Sequence, residues 1–107
     1  SMRNVAVSAM TKNMADELGP HGINVTVVHP GATRTEATAG LVKVRAEAEG
    51  ISPAEIEAGM AQRNTVRRLI DATEVAYVVA FLASPKAGSI TGDAIAAGGG
   101  AGPSIHY

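Results

Sequence analysis

Few side chains in this sequence have the type and spacing that chemistry needs. There is no cysteine, so these residues offer no thiolate nucleophile, thiolate metal site or disulfide. The three histidines, His21, His29 and His106, are scattered and lack a supporting carboxylate pattern, so no metal site is expected. His29 precedes Pro30-Gly31. A proton shuttle at a strand end is one reading of it, and a polar residue at a loop mouth is the preferred one. Thr35 with Glu36 after it reads as a helix N-cap for residues 36–48. Arg67-Arg68 would attract a phosphate, although a helix-flanking pair on a solvated surface is the commoner case. A tyrosine acting as acid or base needs a neighbouring cation, since a phenol near pKa 10 is a poor base at neutral pH. Tyr77 has no lysine four residues on, and Tyr107 is the last residue, so neither fits. Gly98-Gly99-Gly100 follows an expected strand but opens no helix, so it presents no helix N-terminus to a pyrophosphate.

These residues must be positioned by a short series of elements. Residues 4–18 read as a helix with Val7, Met10, Met14 and Leu18 on one face, stopped by Gly19-Pro20. The β-branched run 23–28 reads as a strand covered on both faces, ended by Pro30-Gly31. Residues 36–50 are ambiguous. Ser52, Pro53 and Glu55 form the start of a helix to about Gln62. Asp71 and Glu74 form a second capping box before the stripe Val75, Val78, Val79 and Leu82, and Pro85 closes that helix. Residues 93–97 read as a short strand. Strand, helical crossover and strand make a βαβ unit with a parallel pair, hence an α/β class. No repeat or linker divides residues 1–107.

Composition narrows the function. Hydrophobic residues make up 46% and aromatics only 3%, so the core must be built from Val, Ile, Leu, Met and Ala. The formal net charge of −1 and the absence of a basic stripe argue against nucleic acid. No apolar run approaches the ~20 residues needed to cross a bilayer. A cytoplasmic location is expected.

Several segments, in order, resemble the classical short-chain dehydrogenase/reductase family. Residues 17–25 resemble the end of its central helix and its sixth strand, and Pro30-Gly31-Ala32-Thr33-Arg34-Thr35 matches its Pro-Gly-x-x-x-Thr. Asn64–Arg68, Glu74-Val75-Ala76 and Phe81-Leu82-Ala83-Ser84 resemble its seventh-helix region. Ile90-Thr91-Gly92 followed by Gly98-Gly99 resembles its last strand and closing turn. The resemblance implies the C-terminal part of a Rossmann-type doubly wound parallel sheet, two strands plus helices, forming one partial domain. It implies NAD or NADP as cofactor and an alcohol or carbonyl as substrate. Pro30, Gly31, Ala32, Thr33 and Thr35 would be the cofactor-binding residues, with backbone near Thr33 gripping the nicotinamide carboxamide. The family's catalytic lysine falls on Asn4, and its tyrosine, serine and glycine loop find no counterpart here, so no catalytic residue is assigned. The expectation is therefore that these 107 residues neither bind the cofactor nor catalyse hydride transfer by themselves. The alternative expectation is a non-catalytic, oligomerising fragment. In either case a homo-oligomer is expected through residues 4–18 and 23–28.

Overall fold

A computed structural model describes residues 2–101. The first helix, α1, spans Met2–Leu18, beginning two residues before the expected start. It passes into a 3-10 turn at Gly19–His21, where Gly22 at φ 78° returns its N–H to Gly19 O, so the Gly-Pro stop acts as expected. The inward face differs from the expected stripe. Thr11 and Ala15 are buried, whereas Met10 is 54% and Met14 39% exposed. The Thr11 hydroxyl is satisfied by Val7 O at 2.8 Å, which permits its burial. A Cβ placed on Gly92 would lie 3.3 Å from both Ala15 Cβ and Lys12 Cδ, so the helix passes close to the backbone at Gly92.

The strand β1 spans Val27–Pro30 and not residues 23–28. Residues 24–26 are held by the 88–92 turn instead, through Asn24 Nδ2 to Gly88 O at 3.3 Å, Val25 N–H to Thr91 Oγ1 at 3.0 Å and Gly92 N–H to Val25 O at 2.7 Å. Side-chain and turn bonds there replace a ladder. Pro30, expected to end the strand, is its last residue, where the missing N–H breaks no following ladder bond. The expected parallel pairing is present. Here β1 runs beside β4, Ala94–Ala97, with Val27 opposite Ala94 and Pro30 opposite Ala97.

Between these strands lie two elements that the sequence pattern missed. The segments β2, Thr33–Arg34, and β3, Ile70–Asp71, pair in parallel as a two-residue bridge. The ambiguous segment contains a helix, α2, Thr38–Glu49, which ends at Gly50 in the left-handed conformation. The next helix, α3, is Pro53–Ala61 with Ser52 as N-cap, its Oγ accepting the Glu55 N–H at 3.2 Å. These two helices pack on each other through Val42, Ala46 and Ile56, with Met60 at the margin. The last helix, α4, Ala72–Leu82, begins at the expected Asp71–Glu74 capping box. Its apolar stripe is less covered than the pattern suggests, since no α4 residue is buried and Val79 is 49% exposed.

Arg68 grips Glu74 with two parallel bonds of 2.7 and 2.9 Å. That guanidinium, with the Asp71 N–H behind it, holds the Glu74 carboxyl at about 2, well below the usual range. Among the described residues no helix is long and apolar enough to cross a membrane.

Candidate functional site

The loop 30–35 leaves the C-terminal end of β1, where ligands of open parallel sheets bind. Two contacts fix its path. Gly31 lies directly against Gly98, which follows β4. A Cβ on Gly31 would stand 2.5 Å from Gly98 O, and one on Gly98 would stand 2.4 Å from Gly31 N. The second contact is Asn64, which has no exposed surface. Its Oδ1 accepts the Ala32 N–H at 3.3 Å, and its Nδ2 donates to Ala32 O at 3.1 Å and Arg68 O at 2.8 Å. The amide thus holds both backbone groups of Ala32 and ties the loop to the 64–68 turn. Ile70 N–H adds a further bond to Ala32 O at 3.0 Å.

The remaining loop residues follow from this anchoring. Thr33 Oγ1 turns inward onto Gly31 O at 2.9 Å. Thr35 is exposed, and its N–H donates to the Thr38 hydroxyl at 2.8 Å. Thr35 is therefore not the expected N-cap: α2 starts at Thr38 with Ala37 before it, and the Thr38 hydroxyl accepts the Thr35 N–H, the reverse of the direction an N-cap at Thr35 would take. Pro30, Gly31, Ala32, Thr33 and Thr35 thus form one continuous stretch, with the Thr35 side chain at its exposed end.

Other candidates fall elsewhere. Asn4 is exposed on the first turn of α1. His29 lies within β1, not at a loop mouth, half-buried with Nε2 3.4 Å from Ser8 Oγ on α1. Tyr77 is 73% exposed on α4. The two arginines have separate tasks. Arg68 clamps Glu74, while Arg67 donates from Nη1 to Gln62 O at 2.7 Å. Gly99 and Gly100 close onto the 65–66 backbone, with Val66 N–H on Gly99 O at 3.1 Å and Thr65 Oγ1 on Gly100 O at 2.8 Å. Among the described residues no cluster of His, Asp or Glu is arranged to hold a metal ion. Asn64 had no assigned role from sequence. Its type is common in turns, and only its complete burial marks it.

A family profile described as enoyl-(acyl carrier protein) reductase matches residues 2–102. The chain belongs to the short-chain dehydrogenase/reductase family. It is 36% identical over 105 residues to the NADPH-dependent reductase BacG of Bacillus subtilis, covering 98% of this chain and 40% of that protein. It is 38% identical over 94 residues to the 3-oxoacyl-[acyl-carrier-protein] reductase FabG of Vibrio cholerae, covering 88% of this chain and 34% of that one. Among solved structures, a short-chain dehydrogenase family protein from Francisella tularensis superposes with a TM-score of 0.83 at 33% identity, covering 89% of this chain and 39% of the other. The chain thus spans about two fifths of the length of the relatives it matches. This short-chain dehydrogenase/reductase chain shares the parallel α/β architecture of those neighbours.

Proposed function

We propose that this chain forms the C-terminal part of an NAD(P)-dependent oxidoreductase acting on an alcohol or carbonyl substrate, and that its contribution is the nicotinamide side of the cofactor site. The observation that carries this reading is the anchoring of loop 30–35 by Asn64 and by the Gly31–Gly98 contact. A loop held at both edges presents the same surface before and after binding, which reduces the ordering cost of recognition. The cofactor, when bound, supplies or accepts the hydride. Of the loop's groups, the exposed Thr35 hydroxyl and the backbone at Thr33 would hold its nicotinamide end, while Pro30, Gly31 and Ala32 shape the turn. The residues fit only that part of the cofactor, because no glycine-rich phosphate loop occurs in the 107 residues. Asn4, at the family's lysine position, carries no charge to lower a phenol pKa, so these residues hold no complete proton-transfer set. A cytoplasmic location belongs to the same reading.

Calorimetry checks it in two arms. The 107-residue chain alone is expected to show no micromolar dissociation constant for NADH or NADPH. Each missing charge-assisted bond to the phosphates is worth about 1.5–3 kcal/mol. Joined to the preceding portion of BacG, the chain is expected to bind NADPH, and Thr35→Ala to weaken that binding. Micromolar binding by the chain alone, or an unchanged affinity for Thr35→Ala in the chimera, would contradict the assignment.

A second reading rests on a different observation. Val5 is 69% and Met10 54% exposed on α1, and β1 pairs only with β4 among the described residues, leaving its other edge unpaired. Unpaired strand edges and apolar helix faces favour association. We propose that the chain self-associates through residues 4–18 and 23–28 as a homo-oligomer with no small-molecule activity of its own. Sedimentation should give a dimer or tetramer, and Met14→Lys should dissociate it. A folded monomer with a concentration-independent melt would exclude this assembly.

A further inference from the structure

A cavity of about 750 Å³ opens between loop 30–35 and the 62–67 turn. Gly31 and Ala32 form one wall, Thr65 and Gly100 another, and Arg63 and Arg67 supply the charge. Gly31 and Ala32 belong to the loop expected to bind the cofactor, but neither Thr33 nor Thr35, which would grip its nicotinamide end, lines the cavity. No aspartate or glutamate lines it either.

The two guanidiniums are not neutralised. Lys12, Arg34, Arg45 and Arg68 each have a carboxylate partner, whereas Arg63 and Arg67, like Arg3, Lys43 and Lys86, have none among the described residues. Two like charges on one cavity raise the local potential, and an anion relieves it. The backbone at Arg67 points the same way. Its φ is 58°, and it is the one non-glycine described residue with a positive φ. Glycine fills five other positive-φ positions, at Gly22, Gly50, Gly92, Gly99 and Gly100. A turn of this kind therefore asks for glycine, and an arginine there carries local strain. What arginine adds is its side chain. The bond to Gln62 O, at the end of α3, uses one of its five N–H donors and leaves the rest of the fork for a ligand.

We propose that this cavity binds the anionic group of a small molecule, a phosphate monoester or a carboxylate, through the Arg63 and Arg67 guanidiniums. A planar fork matches both oxyanions with paired bonds, as a lysine would not. Since Gly31 and Ala32 form both the cavity wall and part of the loop anchored by Asn64, such a ligand would sit beside the loop without competing for Thr35.

The test is amide NMR on the full 107-residue chain, titrated separately with glycerol phosphate and with succinate at matched ionic strength. The expected result is saturable shifts confined to residues 31–32, 62–67 and 100–101, at millimolar concentration or below. Saturation by one probe alone identifies which oxyanion the site takes, and saturation by both assigns a general anion site. Arg63→Gln should weaken binding about tenfold or more, the loss expected for a hydrogen bond to a charged group. Arg67→Gly should weaken it equally while melting no lower than the parent chain, because glycine relieves the positive φ. No saturable shift with either probe, unchanged affinity in both variants, or a lower melting temperature for Arg67→Gly would overturn the proposal.

Discussion

Asn64→Ala is expected to cost about 2–5 kcal/mol of stability, the range for stranding two or three partly buried polar groups. The side chain has no exposed surface, so water cannot take over its bonds. Its loss removes the partner of the Ala32 N–H and of Arg68 O, and one of the two partners of Ala32 O. Ala32 O keeps the Ile70 N–H, which limits the damage there. The sum is a large share of the 5–15 kcal/mol that holds a typical domain folded. Asn64→Asp should be no milder. A carboxylate accepts the Ala32 N–H well, but it sets negative charge against two carbonyl oxygens that the amide had served as donor. The check is a urea titration of the three proteins. A shift corresponding to less than about 0.5 kcal/mol, the scale of an ordinary surface substitution, would mean that the amide does not hold the loop.

Gly31→Ala and Gly98→Ala are each expected to destabilise by about 1–3 kcal/mol, as overpacking of a closed contact does. At Gly31 the added Cβ would meet Gly98 O at 2.5 Å, Ala101 Cβ at 2.7 Å and Gly98 Cα at 2.9 Å. At Gly98 it would meet Gly31 N at 2.4 Å and Gly31 Cα at 2.7 Å. Most of these neighbours are backbone, so no side chain can swing away, and the ends of β1 and β4 must part. Because either substitution alone forces the strands apart, the pair should cost less than the sum of the singles. Gly40 and Gly59, inside α2 and α3, have nothing within 4 Å of a built Cβ. Alanine at those two positions should raise stability by up to about 1 kcal/mol each, from helix propensity. Thermal or urea unfolding of the four variants separates the two classes. Equal effects at all four positions would show that the Gly31–Gly98 contact is not closed.

Sequence alone determined what depends on a few neighbouring residues. The stop at Gly19-Pro20, the Ser52 cap and the Asp71–Glu74 box are set within three or four positions, because capping bonds and left-handed turns are local. The parallel pairing of the two strands and the order of segments that marks the family were legible for a related reason: a helical crossover between two apolar strands permits few topologies. Tertiary structure decided the rest. Periodicity set Val7, Met10, Met14 and Leu18 as the inward stripe of α1, yet Thr11 and Ala15 are the buried residues, Thr11 with its hydroxyl bonded to Val7 O and Ala15 close to Gly92. A β-branched run suggested a strand from residue 23, yet the 88–92 turn captures residues 24–26 with side-chain bonds and the ladder begins at Val27. At the candidate site, Pro30-Gly31 is visible as a motif, but φ does not explain its glycine, since Gly31 has no positive φ. It is the approach of Gly98, remote in sequence, that excludes a side chain there. Asn64 reaches Ala32 across 32 positions, and no local pattern encodes a contact so remote in sequence or the complete burial of Asn64 that goes with it.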